Sequence, residues 1–211
     1  MKKFLLASLA SLLAAAPLQA GLLSEEASEL HADAVLYGPG LGDAGLCDLG
    51  LGVQVAYREW LAWPFGASLS LGYAAWQVDS SSDAYKWRDF SHYDGDLSLF
   101  PIGFSLHFNL ADSDSWDLIL STGVKYVIVD SSATLRDAHD GRKHDIDLDN
   151  PVWWDLSIAW EYMLSESAYL EIGAGFQTDV LKSDAELDDG RELRDTSYQA
   201  FFGSVGLKFV L

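Results

Sequence analysis

The chain is poor in cysteine and has few long apolar runs. Its one cysteine, Cys47, stands alone among 211 residues, which excludes an internal disulfide framework. Cys47 is interpreted as an ordinary strand-end residue, with an intermolecular thiol as the rarer alternative. Beyond residue 20 no apolar stretch approaches the ~20 residues that a transmembrane helix needs, so a helical membrane protein is excluded.

Basic residues are also scarce. The chain has 13 Lys and Arg against 32 Asp and Glu, a formal net charge of −19. Such a surface repels nucleic acid, whose binding depends on Lys and Arg at the phosphates. We therefore expect no nucleic-acid partner, and we expect no cofactor. The length suits one folded domain, and no low-complexity linker interrupts it.

Residues 1–20 have the three-part layout of a secretory signal peptide. Two lysines open the segment, residues 4–16 form an apolar run, and small residues lead to a cleavage site after Ala20. The apolar run is too short for a membrane anchor. Without this segment, 11 basic residues face 32 acidic ones, a net charge of −21.

The rest of the chain, residues 21–211, is predicted to form one domain. Residues 21–29 are interpreted as a loose or helical lead-in. At the other end, residues 198–211 alternate strictly, with Leu207, Phe209 and Leu211 on one face and small or polar residues on the other. A period of two predicts a β-strand, and this one is longer than the usual ~5–6 residues.

The same alternation predicts seven earlier strands, joined by alternating long and short connections. Their predicted ranges are 31–37, 49–58, 65–74, 97–108, 116–128, 152–162 and 169–177. Within residues 97–108 the apolar positions change parity at Phe100-Pro101, which predicts a β-bulge there. Eight strands give the even number that a barrel needs to bring both termini to one side.

Three features favour a membrane barrel over a soluble barrel or sandwich. The strands approach or exceed the ~9–11 residues that span a bilayer. One face is bulky and the other carries Gly, Ser and Ala, which suits a narrow lumen. Leu51, Leu71, Leu120 and Ile158 are accordingly predicted to face lipid rather than a shared centre.

The third feature is the position of the aromatic residues, which fall in two belts on the bulky face. The belt beside the short turns consists of Tyr57, Phe65, Phe108, Trp116, Tyr162 and Phe209. The belt towards the long connections consists of Tyr73, Tyr126, Trp154, Phe176 and Phe201. Such belts are typical of barrels whose rings lie at headgroup depth.

With its alternating last strand, its aromatic belts and the Leu-Phe-Pro-Ile-Gly segment at 99–103, the chain resembles small bacterial outer-membrane barrels of the OmpA/OmpX/OmpW kind over most of residues 30–211. The resemblance implies an all-β, eight-stranded, antiparallel up-and-down transmembrane β-barrel in the cell outer membrane. It also implies contact with outer-membrane lipids and lipopolysaccharide, insertion by the barrel-assembly machinery, and a monomer. Leu211 departs from the usual terminal Phe, which bears on recognition by that machinery.

Charged residues on the small-residue face are predicted to form a polar network in the lumen. Its members are Arg58, Asp117, Lys125, Asp155, Glu161, Glu171 and Lys208. Arg58 and Lys208 are expected to bridge the carboxylates, because buried charges persist only when paired. The favoured interpretation is a network that plugs the narrow barrel, and the alternative is a gated polar path.

The three long connections, residues 79–96, 130–149 and 179–195, are acidic and are interpreted as exposed loops. A sharper alternative is that their carboxylates bind divalent cations or an extracellular ligand. The alternating aspartates of 145–149 lack the Gly and closing Glu of an EF-hand. His139 and His144 are five residues apart and suggest Zn or Ni, although a solvated pair is more common. No metal site is therefore predicted.

These features favour an outer-membrane barrel with a structural or surface-interaction role. The alternative is a narrow pore or a conduit for small hydrophobic molecules of the OmpW kind. A lipid-modifying enzyme is the weakest interpretation, because Ser91 and His92 are adjacent in a strand and point to opposite faces. No catalytic residue is predicted.

Overall fold

The structure of the protein is a computed structural model. It describes residues 28–38, 47–78, 90–132, 134–137, 139–181, 183–196 and 199–211. The predicted signal peptide and residues 21–27 of the predicted lead-in lie outside the described residues, as do the side chains of Cys47, Ser91 and His92. Among the described residues, no helix is long and apolar enough to cross a bilayer.

The described secondary structure consists of strands. They are β1 (Ser28–Tyr37), β2 (Cys47–Ala62), β3 (Phe65–Val78), β4 (Phe90–Asp94), β5 (Asp96–Asp112), β6 (Trp116–Ser131), β7 (Thr134–Asp137), β8 (Lys143–Leu148), β9 (Val152–Ser165), β10 (Ala168–Leu181), β11 (Ser183–Leu187), β12 (Glu192–Thr196) and β13 (Ala200–Val210).

Eight of these strands close an antiparallel barrel in the order β1-β13-β10-β9-β6-β5-β3-β2. The last strand pairs with the first, so that Leu30 lies opposite Phe209 and Leu36 opposite Gly203. Barrel strands run from 10 residues in β1 to 17 in β5, which meets the length needed to cross a bilayer. The all-β, eight-stranded fold that the alternation predicts is confirmed.

The first strand begins earlier than predicted. The prediction placed residues 21–29 in a lead-in, but Ser28 and Glu29 pair with Glu59 and Arg58 of β2. Residues 28–30 therefore belong to the barrel wall. Charged residues at the start of β1 resemble a polar lead-in in the sequence, because their interior partners lie far away in the chain.

The predicted bulge at Phe100-Pro101 is wrong. β3 and β5 keep the same register on both sides of it, with Leu71 opposite Ile102 and Ala74 opposite Leu99. The apolar positions change parity because Leu99 faces the interior and is 0% exposed, whereas Ile102 faces outwards and is 48% exposed. The strand stays regular. Its apolar side chains face the interior up to Leu99 and the outer wall from Ile102 onwards.

The long connections carry a second sheet, which the sequence did not predict. Its five strands have the order β12-β11-β8-β7-β4, and we call it the outer sheet. The β7–β8 and β11–β12 hairpins are joined where Leu148 lies opposite Ala185 and Ile146 opposite Leu187. The interpretation of these segments as loops alone is therefore corrected, and the alternation in 143–148 marks a strand.

The outer face of the barrel is apolar. Leu51 is 67% exposed and Ile158 is 42% exposed, and Leu71 and Leu120 lie on the same face. A contiguous exposed apolar band of this kind is unfavourable in water and marks a surface covered by another apolar phase. The predicted outward direction of these four side chains is confirmed.

A charge placed on this band tests whether it faces lipid. Ile158→Arg, in the middle of β9, is expected to lower the free energy of unfolding in lipid vesicles by about 2–4 kcal/mol. Leu164→Arg, beside a short turn, should cost about 0–1 kcal/mol because its charge reaches the interface. Urea unfolding in vesicles measures both, and equal costs would contradict a lipid-facing wall.

Candidate functional site

The interior of the barrel has three layers along its axis. An ion cluster closes the end beside the short turns and consists of Glu29, His31, Arg58, Asp117, Glu161, Glu171 and Lys208. A central cavity of about 90 Å³ lies above it. An apolar plug fills the end beneath the outer sheet.

Glu161 is the centre of the ion cluster and is fully buried. The Arg58 guanidinium donates hydrogen bonds to both oxygens of Glu161, at 2.8 and 3.1 Å, and another to Glu29. Lys208 Nζ donates to Glu161 and lies 3.2 Å from Glu29. Because β2 and β9 are four places apart in the barrel order, the Arg58–Glu161 pair crosses the lumen.

The register explains why these carboxylates need two cations. Glu171 lies directly opposite Glu161, and Glu161 lies directly opposite Asp117. Like charges directly opposite on neighbouring strands destabilise a sheet. Lys208, which is 3.9 Å from Asp117 as well as bonded to Glu161, reduces this repulsion together with Arg58.

Two members of the ion cluster were missed in the sequence. His31 Nδ1 lies 2.8 Å from a Glu171 oxygen, and His31 Nε2 lies 3.5 Å from Glu29. Both His31 and Glu29 come from the start of β1, where the prediction assigned Glu29 to the lead-in. The spacing of Glu29, His31 and Asp33 by two residues was the available signal, because it puts all three on one face.

The structure separates the predicted polar network into two groups. Arg58, Asp117, Glu161, Glu171 and Lys208 belong to the ion cluster. Lys125 and Asp155 form a separate pair higher in the barrel, with Nζ 3.7 Å from Oδ1. Lys125 also lies over the Phe202 ring, 5.6 Å from its centroid.

Serine hydroxyls line much of the central cavity. They belong to Ser68, Ser70, Ser105, Ser121, Ser157 and Ser204. His107 bridges two of them, with its ring nitrogens 2.8 Å from Ser68 Oγ and Ser121 Oγ. At ~30 Å³ per molecule the cavity has room for about three waters.

The apolar plug corrects the prediction that only small and polar residues fill the barrel. It consists of Val35, Tyr37, Ala74, Trp76, Leu97, Leu99, Val127, Ile146, Leu148, Trp153, Leu187 and Ala200. The outer sheet contributes Ile146, Leu148 and Leu187, so its inner face covers the mouth of the barrel.

Glycines make room for the aromatic side chains of this layer. Trp76 lies on Gly50 so closely that a Cβ there would be 1.3 Å from the indole nitrogen. A Cβ on Gly175 would meet the Phe202 ring at 2.5 Å. Trp76 in turn stacks on Trp153, with ring centroids 6.0 Å apart. Large rings therefore occupy a narrow lumen where their neighbours lack side chains.

The predicted aromatic belt residues share the outer face with the lipid-facing leucines. Phe65, Tyr73, Tyr126, Trp154, Tyr162, Phe201 and Phe209 are exposed, and Tyr57, Phe108, Trp116 and Phe176 are half-buried. Neighbours within each belt touch, as in the Phe65–Phe108 pair at 5.1 Å and the Phe176–Phe201 pair at 5.3 Å.

In the outer sheet, His144 rather than His139 meets the carboxylates. His144 Nδ1 lies 2.7 Å from Asp188 Oδ1, whereas the His139 side chain is exposed. Asp137, Asp140 and His144 come within ligand distance of one another. The Arg191 guanidinium already contacts Asp137 at 3.0 Å and His144 at 3.0 Å, so a cation of the protein fills this position.

Hydrogen bonds hold the outer-sheet carboxylates in their charged form. The backbone N–H of His139 and then the guanidinium of Arg191 lower the pKa of Asp137. Desolvation opposes the shift at Asp189, but the Arg191 backbone N–H and guanidinium lower the pKa of that carboxyl too. The bond to Asp137 raises the pKa of Arg191.

Removing the central carboxylate of the ion cluster should leave two buried cations, Arg58 and Lys208, to share Glu29. Glu161→Gln is expected to lower the free energy of unfolding by about 3–5 kcal/mol. Asp117→Asn, whose carboxylate is 22% exposed at the rim, should cost about 1 kcal/mol or less. Denaturant unfolding in vesicles measures both. Similar losses for the two variants would contradict the central place of Glu161.

The outer sheet should loosen in acid before the barrel does. Because the pKa values of Asp137 and Asp189 are lowered in the folded sheet, their contribution is fully present above the ordinary Asp pKa of about 3.9. It is lost as the pH falls through the lowered values. Backbone NMR signals of β8, followed from pH 6 to pH 2, should change below about pH 3.9 while those of β6 persist.

Arg191→Ala removes the shared partner of both carboxyls and should move this transition to higher pH. Arg142→Ala is the matched control, because Arg142 is 80% exposed and pairs only loosely with Asp140, at 3.4 Å. The same transition pH in both variants would show that Arg191 does not organise the sheet.

Solved outer-membrane barrels are similar to this chain in fold. OprG from Pseudomonas aeruginosa aligns with a TM-score of 0.62 and 11% identity, over 92% of this chain and 99% of its own. A major outer membrane protein from Thermus thermophilus gives a TM-score of 0.54 and 14% identity, over 88% and 100%. Neisserial surface protein A gives 0.52 and 13%, over 89% and 100%.

In sequence, no protein-family model matches the chain, and no curated protein matches it either. The closed barrel, the apolar outer wall and these structures agree on the architecture. The chain has the fold of the eight-stranded transmembrane β-barrels of bacterial outer membranes.

Proposed function

We propose that the chain is a monomeric, integral outer-membrane protein with a sealed interior, and that its role is carried by the outer sheet at the cell surface. The observation that carries this proposal is the closure of the interior at both ends, by the ion cluster and by the apolar plug. Its apolar wall contacts outer-membrane lipids and lipopolysaccharide, and the barrel-assembly machinery inserts it.

The ion cluster supports a seal at the turn end. Arg58 and Lys208 are almost completely buried, and both bond to Glu161, Arg58 from the opposite side of the lumen. An ion that passes this layer must separate charges that are no longer hydrated, and breaking a buried pair costs about 3–5 kcal/mol. The cluster therefore resists permeation as well as tying strands together.

The apolar plug supports a second seal at the loop end. Leu99, Val127 and Trp153 are 0–1% exposed, and Ile146 and Leu148 of the outer sheet pack against this layer. Hydrophobic constrictions exclude water and thereby block ions. Charged solutes that approach from the outer sheet meet this layer first.

The solvent face of the outer sheet presents a row of carboxylates. Asp147 lies opposite Glu186, Asp145 shares the face of Asp147 two residues away, and all three are exposed. Like charges in this arrangement repel one another. A positively charged surface would relieve that repulsion, so the partner favoured by charge complementarity is cationic.

A second candidate function is a conduit for small hydrophobic molecules of the OmpW-like kind. The apolar plug favours this function, because the stacked rings of Trp76 and Trp153 offer an apolar surface that such a molecule can contact. Passage would require the plug and the outer sheet to move apart. A narrow ion pore is the remaining alternative.

Reconstitution separates these functions. In planar bilayers the sealed barrel should give no steady single-channel openings, and openings that vanish in Lys125→Ala would establish a pore instead. In vesicles, entry of a small aromatic hydrocarbon probe should be equally fast with and without the protein. Faster entry that is lost in Leu99→Asp, but kept in the lipid-facing control Leu51→Ala, would establish the conduit.

A further inference from the structure

One interior carboxylate lacks a cation among the residues that the structure describes. Asp33 lines the central cavity and is 8% exposed. Its Oδ1 atom has no hydrogen-bond partner. The nearest histidine in sequence, His31, directs its ring nitrogens to Glu171 and Glu29 instead. A buried carboxylate in this state is costly unless something neutralises it.

A comparison of the interior carboxylates with the interior cations also points to Asp33. The carboxylates that line the interior away from the rim are Glu29, Asp33, Asp155, Glu161 and Glu171. The cations are Arg58, Lys125 and Lys208, with His31 as a fourth when it is protonated. Even then the buried carboxylates outnumber the cations, and Asp117 of the ion cluster adds a further negative charge at the rim. The other carboxylates have cationic partners within 4 Å, which leaves Asp33.

The surroundings of Asp33 offer oxygen ligands and space. Six serine hydroxyls line the same cavity of about 90 Å³, and the Gln54 amide is there too, on the residue opposite Asp33. A Cβ on Gly206 would lie 2.0 Å from Asp33 Oδ1, so this oxygen lies against the backbone of β13 and a ligand in the cavity would meet the other oxygen, Oδ2. Carboxylate and other oxygen ligands, with water, suit hard cations.

We propose that the central cavity binds one monovalent cation of the Na⁺ type at the Asp33 carboxylate, with serine hydroxyls and water completing its shell. One positive charge there pairs the carboxylate of Asp33. Lys125 and Arg58 line the same space, and their positive charges repel a divalent cation more strongly than a monovalent one. The site stands apart from the proposed function, because it depends neither on the outer sheet nor on permeation.

Thermal unfolding in detergent micelles tests the site. The wild-type chain should melt about 3 °C higher in NaCl than in N-methyl-D-glucamine chloride of the same ionic strength and pH, because only the small cation fits the cavity. Asp33→Asn should lose this difference. Asp145→Asn, which removes an exposed carboxylate of the outer sheet, should keep it.

Two outcomes would overturn the proposal: equal melting of the wild type in the two salts, or a Na⁺ response that survives Asp33→Asn. If Asp33→Asn does not fold, ²³Na NMR of the wild type decides. Line broadening that persists in excess N-methyl-D-glucamine and is removed by K⁺ supports a site. Broadening that N-methyl-D-glucamine abolishes reflects only the acidic surface and rejects it.

Discussion

The hydrogen bonds that Glu161 shares with Arg58 and Lys208 hold the turn end of the barrel together. They join β9 to β2 on the opposite side of the cylinder and to β13, which is two places away, whereas backbone ladders act only between neighbouring strands. In a lipid-surrounded barrel the charges cannot be hydrated from outside. The cations of the ion cluster are therefore required by the carboxylates that they neutralise.

A narrow lumen also dictates the pairing of large with absent side chains. Trp76 faces Gly50, and Phe202 faces Gly175, so the interior stays full without widening the cylinder. The same strands carry apolar side chains at the loop end and ionic ones at the turn end. The outer wall is therefore apolar along its whole length, whereas the inner wall changes from ionic to apolar along the barrel axis.

The sequence was sufficient for the barrel because a period of two determines which face each residue takes. Ile158 and Leu51 were placed correctly on that rule alone. It failed for Leu99, where a change of parity suggested a bulge, because periodicity does not show that a second apolar environment lies inside. It also missed Glu29 and His31, because their partners on other strands are far away in the chain. The outer sheet was missed because its strands are short and acidic.

One strand of the outer sheet, β8, connects the apolar plug with the exposed face of that sheet. On β8, Ile146 and Leu148 are buried in the plug, whereas Asp145 and Asp147 are exposed. The same alternation therefore gives β8 an acidic outer face and an apolar face that covers the mouth of the barrel. His144 on the same strand contacts Asp188 and Arg191. Polar contacts at His144 and apolar contacts at Ile146 and Leu148 therefore hold β8 in place. In the proposed function, a partner bound to the acidic face would lie on the strand whose other face packs into the apolar plug, so display and sealing would depend on the same strand.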